Sequence, residues 1–417
     1  MNMLAGADPD GPDICSRASG ASPVLRTPYG VPRPLLPVRL AWRQLRAEPA
    51  RLLVAVAGVM FASVLVLMQL GFRAALFDTA TALPRAMQGE LFLINPLTTA
   101  LFRAEPIPRV RGYQALAVPD VAQAVPIYLA QEPWRNPETG THRAIQIIGF
   151  DVEAGAIAIP GLAPLAAALT RRDTVAFDSL SRPEFGDIRR LMAEHGSLKA
   201  QLGDHAVEVV GTVRLGASFG ADGNVVMSAS NFRRLVPESR QSDAALIALR
   251  LKKGADVRQV RNRLSTLLPP DVRVVTHAGL VQWEKRYWDK TTPIGVIFAF
   301  GSVMGLMVGM VIVYQILFTD VCSHLRGYAT LKALGFSHRY LQLVVLGEAL
   351  ILACLGFLPG LLLSAGLYRY VGRAAYLPLD LTNDRCIAVF GLILAMCAVA
   401  GLLALRKLRE ADPASVF

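Results

Sequence analysis

The sequence predicts a membrane protein of four transmembrane α-helices, with a large α+β domain inserted between helices 1 and 2. Three observations predict it. Four long apolar runs are each long enough to cross a hydrocarbon layer of about 30 Å, which takes about 20 helical residues. More than two hundred residues of mixed strand and helix patterning separate the first run from the second. Basic residues also gather beside the runs at three places, as membrane topology requires.

The runs are 52–72 (helix 1), 294–318 (helix 2), 341–368 (helix 3) and 387–405 (helix 4), and three of them hold no charged residue. A hydrophobic content of 53% with only 18% charged residues fits such clumping and excludes a purely soluble chain. The net charge of +11 would suit a nucleic-acid partner, but its distribution argues for no nucleic acid. Arg39, Arg43, Arg46 and Arg51 precede helix 1, Arg326, Lys332 and Arg339 lie between helices 2 and 3, and Arg406, Lys407 and Arg409 follow helix 4. The positive-inside rule makes these places cytoplasmic, with both termini inside a plasma membrane and 73–290 outside. The short outer loop 369–385 carries Arg369, Arg373 and Arg385, which moderates the bias.

Residues 1–37 are rich in proline and carry acids ahead of any apolar run, so the expectation is a disordered cytoplasmic tail and a retained first span. Residues 38–51 place Val38, Trp42 and Leu45 near helical spacing opposite Arg39, Arg43 and Arg46, which predicts an amphipathic interfacial helix on membrane lipid, broken from helix 1 at Pro49. None of the five cysteines falls in 73–290, so the inserted domain relies on its core and not on an internal disulfide.

Within the insert, β-branched or alternating segments predict strands at 90–94, 125–130, 144–150, 206–214 and 245–251. Val257, Val260, Leu264 and Leu267 predict an amphipathic helix followed by a strand at 272–275.

Glycine is a poor helix former, yet Gly301, Gly305 and Gly309 line one face of helix 2. Small residues four apart let another helix approach closely in lipid, either another span of the same chain or a second copy. In helix 3, Glu348 lies about 10 Å inside the cytoplasmic end. Such a carboxylate faces protein or water, as a relay or as a packing residue near Tyr314 or Gln315. Pro359, between Gly356 and Gly360, predicts a kink.

Catalytic signals are weak. Gly216-Ala217-Ser218-Phe219-Gly220 fits G-x-S-x-G, but Ala221-Asp222-Gly223-Asn224 follows with turn chemistry where a nucleophile elbow needs a helix, and Asp204 and His205 are adjacent instead of lying downstream. A membrane-tethered esterase using Ser218 is the weakest of the readings. No zinc spacing and no P-loop occur, so the chain is expected to be no enzyme, without cofactor or metal. Driven work would need an ATPase supplied by another protein.

The cytoplasmic segment 319–340 is where such a partner would dock. Leu325, Tyr328, Leu331 and Leu334 make an apolar stripe flanked by Arg326 and Lys332 and stopped by Gly335. The alternative is an interfacial helix anchored by lipid headgroups.

At this loop the sequence resembles the FtsX/MacB-type permeases of ABC transporters. YATLKALG at 328–335, which includes Thr330, is similar to their cytoplasmic coupling segment. FDSLSRPEFG at 177, LGASFGADGN at 215, TPIGVIFAFGSVMGLMVGMVIVYQILFTDV at 292 and RKLREADPASVF at 406 resemble segments of the DevC-type permease of DevBCA exporters. Gly327 stands where the family usually has a glutamate. The resemblance implies a homodimeric inner-membrane permease with a periplasmic MacB-like core domain at 73–290. It implies as partners a separate LolD-, MacB- or DevA-like ATPase, a DevB- or HlyD-like membrane-fusion adaptor and a TolC-like outer-membrane channel. Its cargo would be periplasmic or amphiphilic, such as a glycolipid. An FtsX-like regulator of an external cell-wall hydrolase is the alternative within the same family.

Overall fold

A computed structural model describes residues 36–237, 243–323 and 338–410. Four of its helices are long and apolar enough to cross a membrane. The first helix, α1 (Leu36–Ala47), buries Ala41 and Leu45 and exposes Arg39, Trp42, Arg43 and Arg46. It ends where Pro49 opens α2 (Pro49–Ala80), a proline that costs nothing at the first helical position because that N–H has no partner to lose. At 32 residues α2 is about 48 Å long. It therefore continues beyond Phe72 by two turns, carrying Leu76 and Phe77 out of the apolar span.

The inserted domain, here the lobe, begins with α3 (Ala82–Ala86), β1 (Leu91–Ile94), a 3₁₀ turn (Leu101–Arg103), β2 (Ile107–Pro108) and α4 (Val110–Ala115). Next come β3 (Val121–Arg135), β4 (His142–Phe150), α5 (Ala166–Leu169), β5 (Thr174–Asp178), α6 (Ile188–His195) and β6 (Leu198–Leu202). The chain continues through β7 (His205–Val213), β8 (Asn224–Ser228), α7 (Ala229–Leu235), β9 (Asp243–Ala244) and β10 (Leu246–Leu251). It closes with α8 (Val257–Leu267), β11 (Arg273–Thr276) and α9 (His277–Arg286). A π-helical turn, Tyr287–Thr291, leads into α10 (Pro293–Ser323), and α11 (His338–Ala375) and α12 (Asn383–Glu410) complete the chain.

The strands form a mixed nine-stranded sheet in the order β11-β1-β10-β3-β4-β8-β5-β7-β6, while β2 and β9 pair separately. The long β3 also pairs with β6, Trp134 opposite Leu202, so the strands from β3 to β6 close into a ring. Trp134 sits at that closure with no exposure, against Phe177, its indole N–H donating to the Phe185 carbonyl. Both sheet faces are covered. Along β1, Leu91 and Leu93 join one core with α4, α6, α7 and α8, while Phe92 and Ile94 join another with α3, α5 and α9. A strand buried on both sides loses the apolar–polar alternation that marks a half-exposed one. This explains why β5 and β8, fully buried, escaped sequence reading.

In the bundle, α2 is the central helix. Ala55, Val59, Ala62, Val66 and Leu67 are buried in one core with Val313 and Leu317 of α10, Leu352 and Ala353 of α11, and Ile393 and Cys397 of α12. Helix α11 runs unbroken through Pro359.

Candidate functional site

The residues expected to dock an ATPase, Leu325, Arg326, Tyr328, Thr330, Leu331, Lys332, Leu334 and Gly335, lie outside the described residues. The other expected positions are all described.

Gly301, Gly305 and Gly309 face α2 of the same chain. A Cβ on Gly301 would meet the Gln69 side chain at 2.5 Å, one on Gly305 would meet Leu65 at 3.2 Å, and one on Gly309 would meet the Ala62 Cβ at 2.5 Å. From the other side, a Cβ on Gly356 of α11 would collide with the Val59 side chain of α2, and one on Gly360 would lie 2.9 Å from that of Ser63. Helix α2 is thus gripped between two glycine stripes, a contact possible only without side chains. Glu348 is fully buried in α11.

Ser218 is not placed for nucleophilic attack. Its oxygen accepts from the N–H groups of Gly220 at 3.2 Å and Ala221 at 3.1 Å, and its own N–H donates to the Ala221 carbonyl. The hydroxyl thus closes a turn, and no histidine lines the cleft it borders. Ser218→Ala is expected to cost about 1 kcal/mol, the net value of a satisfied hydrogen bond. A thermal melt of the purified protein should fall by only a few degrees, and hydrolysis of a test ester should be no different from wild type. No group of three or more potential metal ligands occurs among the described residues.

The arrangement with the most convergent geometry is one that sequence reasoning missed: the joint where α2 and α10 enter the lobe. Leu76 and Phe77 of α2 are buried with Trp288 of the π-helical turn, and Phe102, Ile294 and Phe298 pack around them. Phe72 stacks on Phe298 with ring centres 6.1 Å apart. Arg73 of α2 donates to Asp289 at 2.8 Å and lies over the Phe77 ring at 5.4 Å. The Trp288 ring lies 5.7 Å from Phe102 and 6.2 Å from Phe219. A Cβ on Gly220 would sit 2.8 Å from the Phe102 side chain, so a bare backbone is required there.

Two segments distant in sequence build the lobe's side of this joint. Asp178, with no exposure, accepts from the N–H groups of Leu180 at 3.1 Å, Leu215 at 3.0 Å and Gly216 at 2.7 Å, and from the Asn224 amide at 2.9 Å. The Ser181 hydroxyl accepts from the Asn224 N–H, and Asp222 pairs with both Arg143 and Arg182. FDSLSRPEFG and LGASFGADGN are therefore one interlocked unit. Gly216 turns at φ 102°, open to glycine at little cost, so that its N–H reaches Asp178.

Glu284 completes the joint. Its carboxyl is 3% exposed and accepts from the Leu101 N–H at 3.0 Å and the Trp288 indole N–H at 3.1 Å. Burial pushes the group up to about 6, against the two hydrogen bonds, which favour its ionised form. The signals available to find the joint were the aromatic residues just ahead of helix 2 and the glycines of the G-x-S-x-G stretch.

Residues 299–413 match the family described as FtsX-like permease C-terminal, and this part of the chain holds most of α10 together with α11 and α12. Among solved structures, the periplasmic region of MacB from Actinobacillus actinomycetemcomitans is 10% identical, covering 48% of this chain and 94% of that one, with a TM-score of 0.36. The extracellular domain of the noncanonic ABC-type transporter YknZ from Gram-positive bacteria is 12% identical, covering 45% and 99%, with a TM-score of 0.33. Likeness at that level does not bear on what the chain does. No curated protein matches it.

Proposed function

We propose that the chain is the permease subunit of an ABC-type exporter, in which a separate cytoplasmic ATPase drives movements of an external lobe. The observation that carries this reading is the joint. Helix α2 spans the bundle without a break and ends packed against the same aromatic cluster from which α10 departs, so a displacement of either helix is felt by the 215–224 loop through Trp288, Phe102 and Phe219. The FtsX-like permease match over 299–413 supports the same reading. Apart from Glu348 the spans offer few polar groups for a hydrophilic conduit, which favours cargo taken up outside the bilayer. The assembly pairs two copies of the chain in the inner membrane with both termini cytoplasmic. A membrane-fusion adaptor and a TolC-like channel carry an amphiphilic cargo such as a glycolipid onward.

Affinity purification from detergent extract tests this. The exporter is expected to bring down an ATPase and an adaptor together. Recovery of a cell-wall hydrolase in place of the adaptor would replace the export reading with a regulatory one. Leu331→Asp is expected to reduce ATPase recovery at least tenfold with the protein still inserted, since a charge placed in an apolar interface leaves a desolvated carboxylate unpaired. Undiminished recovery would remove the 319–340 segment from the coupling role.

A further inference from the structure

Glu284 joins two distant pieces of chain through one carboxyl: the continuous segment of α9 and the π-helical turn that feeds α10, where it accepts from Trp288 four residues on, and the 101–103 turn, where it accepts from Leu101. Parting the 101–103 turn from that segment breaks the Leu101 hydrogen bond and uncovers the carboxyl. We infer that Glu284 is a proton-operated lock on the joint between lobe and spans, held shut when the carboxyl is protonated and freed when it ionises.

The direction follows from where water is. In the closed joint the group is almost fully buried, and an ionised carboxylate loses more by burial than a neutral acid does. Separating the 101–103 turn from α9 returns water to it. Charged groups on the surrounding elements are engaged elsewhere or sit on the rim. Asp78 pairs with Arg85 at 3.0 Å, Arg73 pairs with Asp289 at 2.8 Å, and Lys285 lies over the Phe77 ring at 5.1 Å. Arg273 lies over the Trp283 ring, Glu90 accepts from the Leu251 N–H, and a ring nitrogen of His277 is 3.0 Å from the Pro84 carbonyl. Asp222 of the 215–224 loop pairs with Arg143 and Arg182, and Arg103, Arg286 and Lys290 are the other charged residues of the 101–103 turn, α9 and the π-helical turn. The raised proton affinity of Glu284 arises from burial alone, opposed by its two hydrogen bonds.

Closed, the group titrates at about 6, and open it returns towards its ordinary 4.5. The closed form thus holds its proton more tightly. Closure has its full preference below the lower value and loses it as pH rises through the upper one, a swing of about 30-fold in the closed-to-open ratio. A cleft lined by Thr79, Gln146, Ser218, Asn224 and Glu284 has room for about 50 Å³ of solvent beside the carboxyl. That is enough for a few waters to deliver the proton. The inference rests on the joint's geometry and not on the transport reading, and its test contains no ATPase, so the two stand or fall separately.

The test is hydrogen exchange by mass spectrometry on the purified full chain in detergent, following a peptide that contains Leu101 and Phe102. After division by the intrinsic exchange rate, opening is expected to rise roughly tenfold from pH 5 to pH 8. Glu284→Gln, which cannot ionise, should make opening independent of pH, at a level raised by its NH₂ group facing one of the two donors. Trp288→Phe removes a donor that favours the ionised form, so its midpoint should move up in pH. This second variant decides the matter if Glu284→Gln does not fold. His277→Gln should keep the wild-type profile. A flat profile in wild type, a slope that survives Glu284→Gln, a midpoint unmoved by Trp288→Phe, or a slope lost in His277→Gln would each overturn the lock.

Discussion

Asp178→Ala is expected to melt about 10 °C or more below wild type, the largest effect of any single change in the lobe. The carboxyl has no exposure and holds three backbone N–H groups and the Asn224 amide at once. Truncation removes their common acceptor and leaves buried donors facing a void. Each such group costs about 1–3 kcal/mol, so a loss of about 4 kcal/mol is reasonable for the set. For a domain of this size each kcal/mol moves the midpoint by about 2–4 °C. Asp178→Asn should recover only part of the loss, because its NH₂ group would face a donor. Exposed Asp204, on the neighbouring hairpin, provides the control: Asp204→Asn should melt with wild type. An Asp178→Ala protein melting within about 2 °C of wild type would mean that the 177–186 and 215–224 segments are held together by something else.

Gly309→Leu should be as damaging to the bundle. The position has no room even for a methyl group, with the Ala62 Cβ at 2.5 Å and the Met396 sulfur at 2.9 Å from where a Cβ would lie. Overpacking a filled core costs about 1–3 kcal/mol for small insertions and more for large ones. The expected outcome is a protein that reaches the membrane but loses its single sharp peak on size exclusion in detergent. Gly309→Ala should lower the detergent melt by a smaller amount, and Ala62→Gly in the same chain should restore most of it, because the pair merely exchanges which helix carries the methyl. Failure of that rescue would show that α2 and α10 do not meet at these residues. In a cysteine-free background, Ala62→Cys with Gly309→Cys should oxidise within one chain and run at monomer mass, whereas a disulfide-linked dimer would show that the stripe meets a second copy.

Much of the architecture was legible because it depends on local chemistry. An apolar run of about 20 residues has one outcome in lipid, since every backbone polar group must be satisfied within the segment. The strand readings at 125–130 and 245–251 match parts of β3 and β10, and the helix starting near Val257 is α8. Strands β5, β6 and β8 were not legible. Their sequences, TVAFD, LKAQL and NVVMS, are short; pairing partners distant in the chain define β5 and β8, while β6 pairs with the adjacent β7 but carries too few β-branched residues to signal a strand. The candidate site was the least legible part. Ser218 fits a catalytic pattern in one dimension and closes a turn in three, while Asp178 and Glu284 follow no spacing rule at all.

Read alone, the chain determined its four spans, the large insertion, the basic flanks and the glycine stripe, because hydropathy and helical period act over a few residues. Only the tertiary structure decided what the stripe faces, which carboxyls are buried and where the lobe grips the spans. The joint gathers residues 72–80, 101–103, 215–224 and 284–298 from positions more than two hundred residues apart. Long-range packing of that kind leaves no periodic trace, since each contributing residue is chosen by the shape and donors of a distant neighbour.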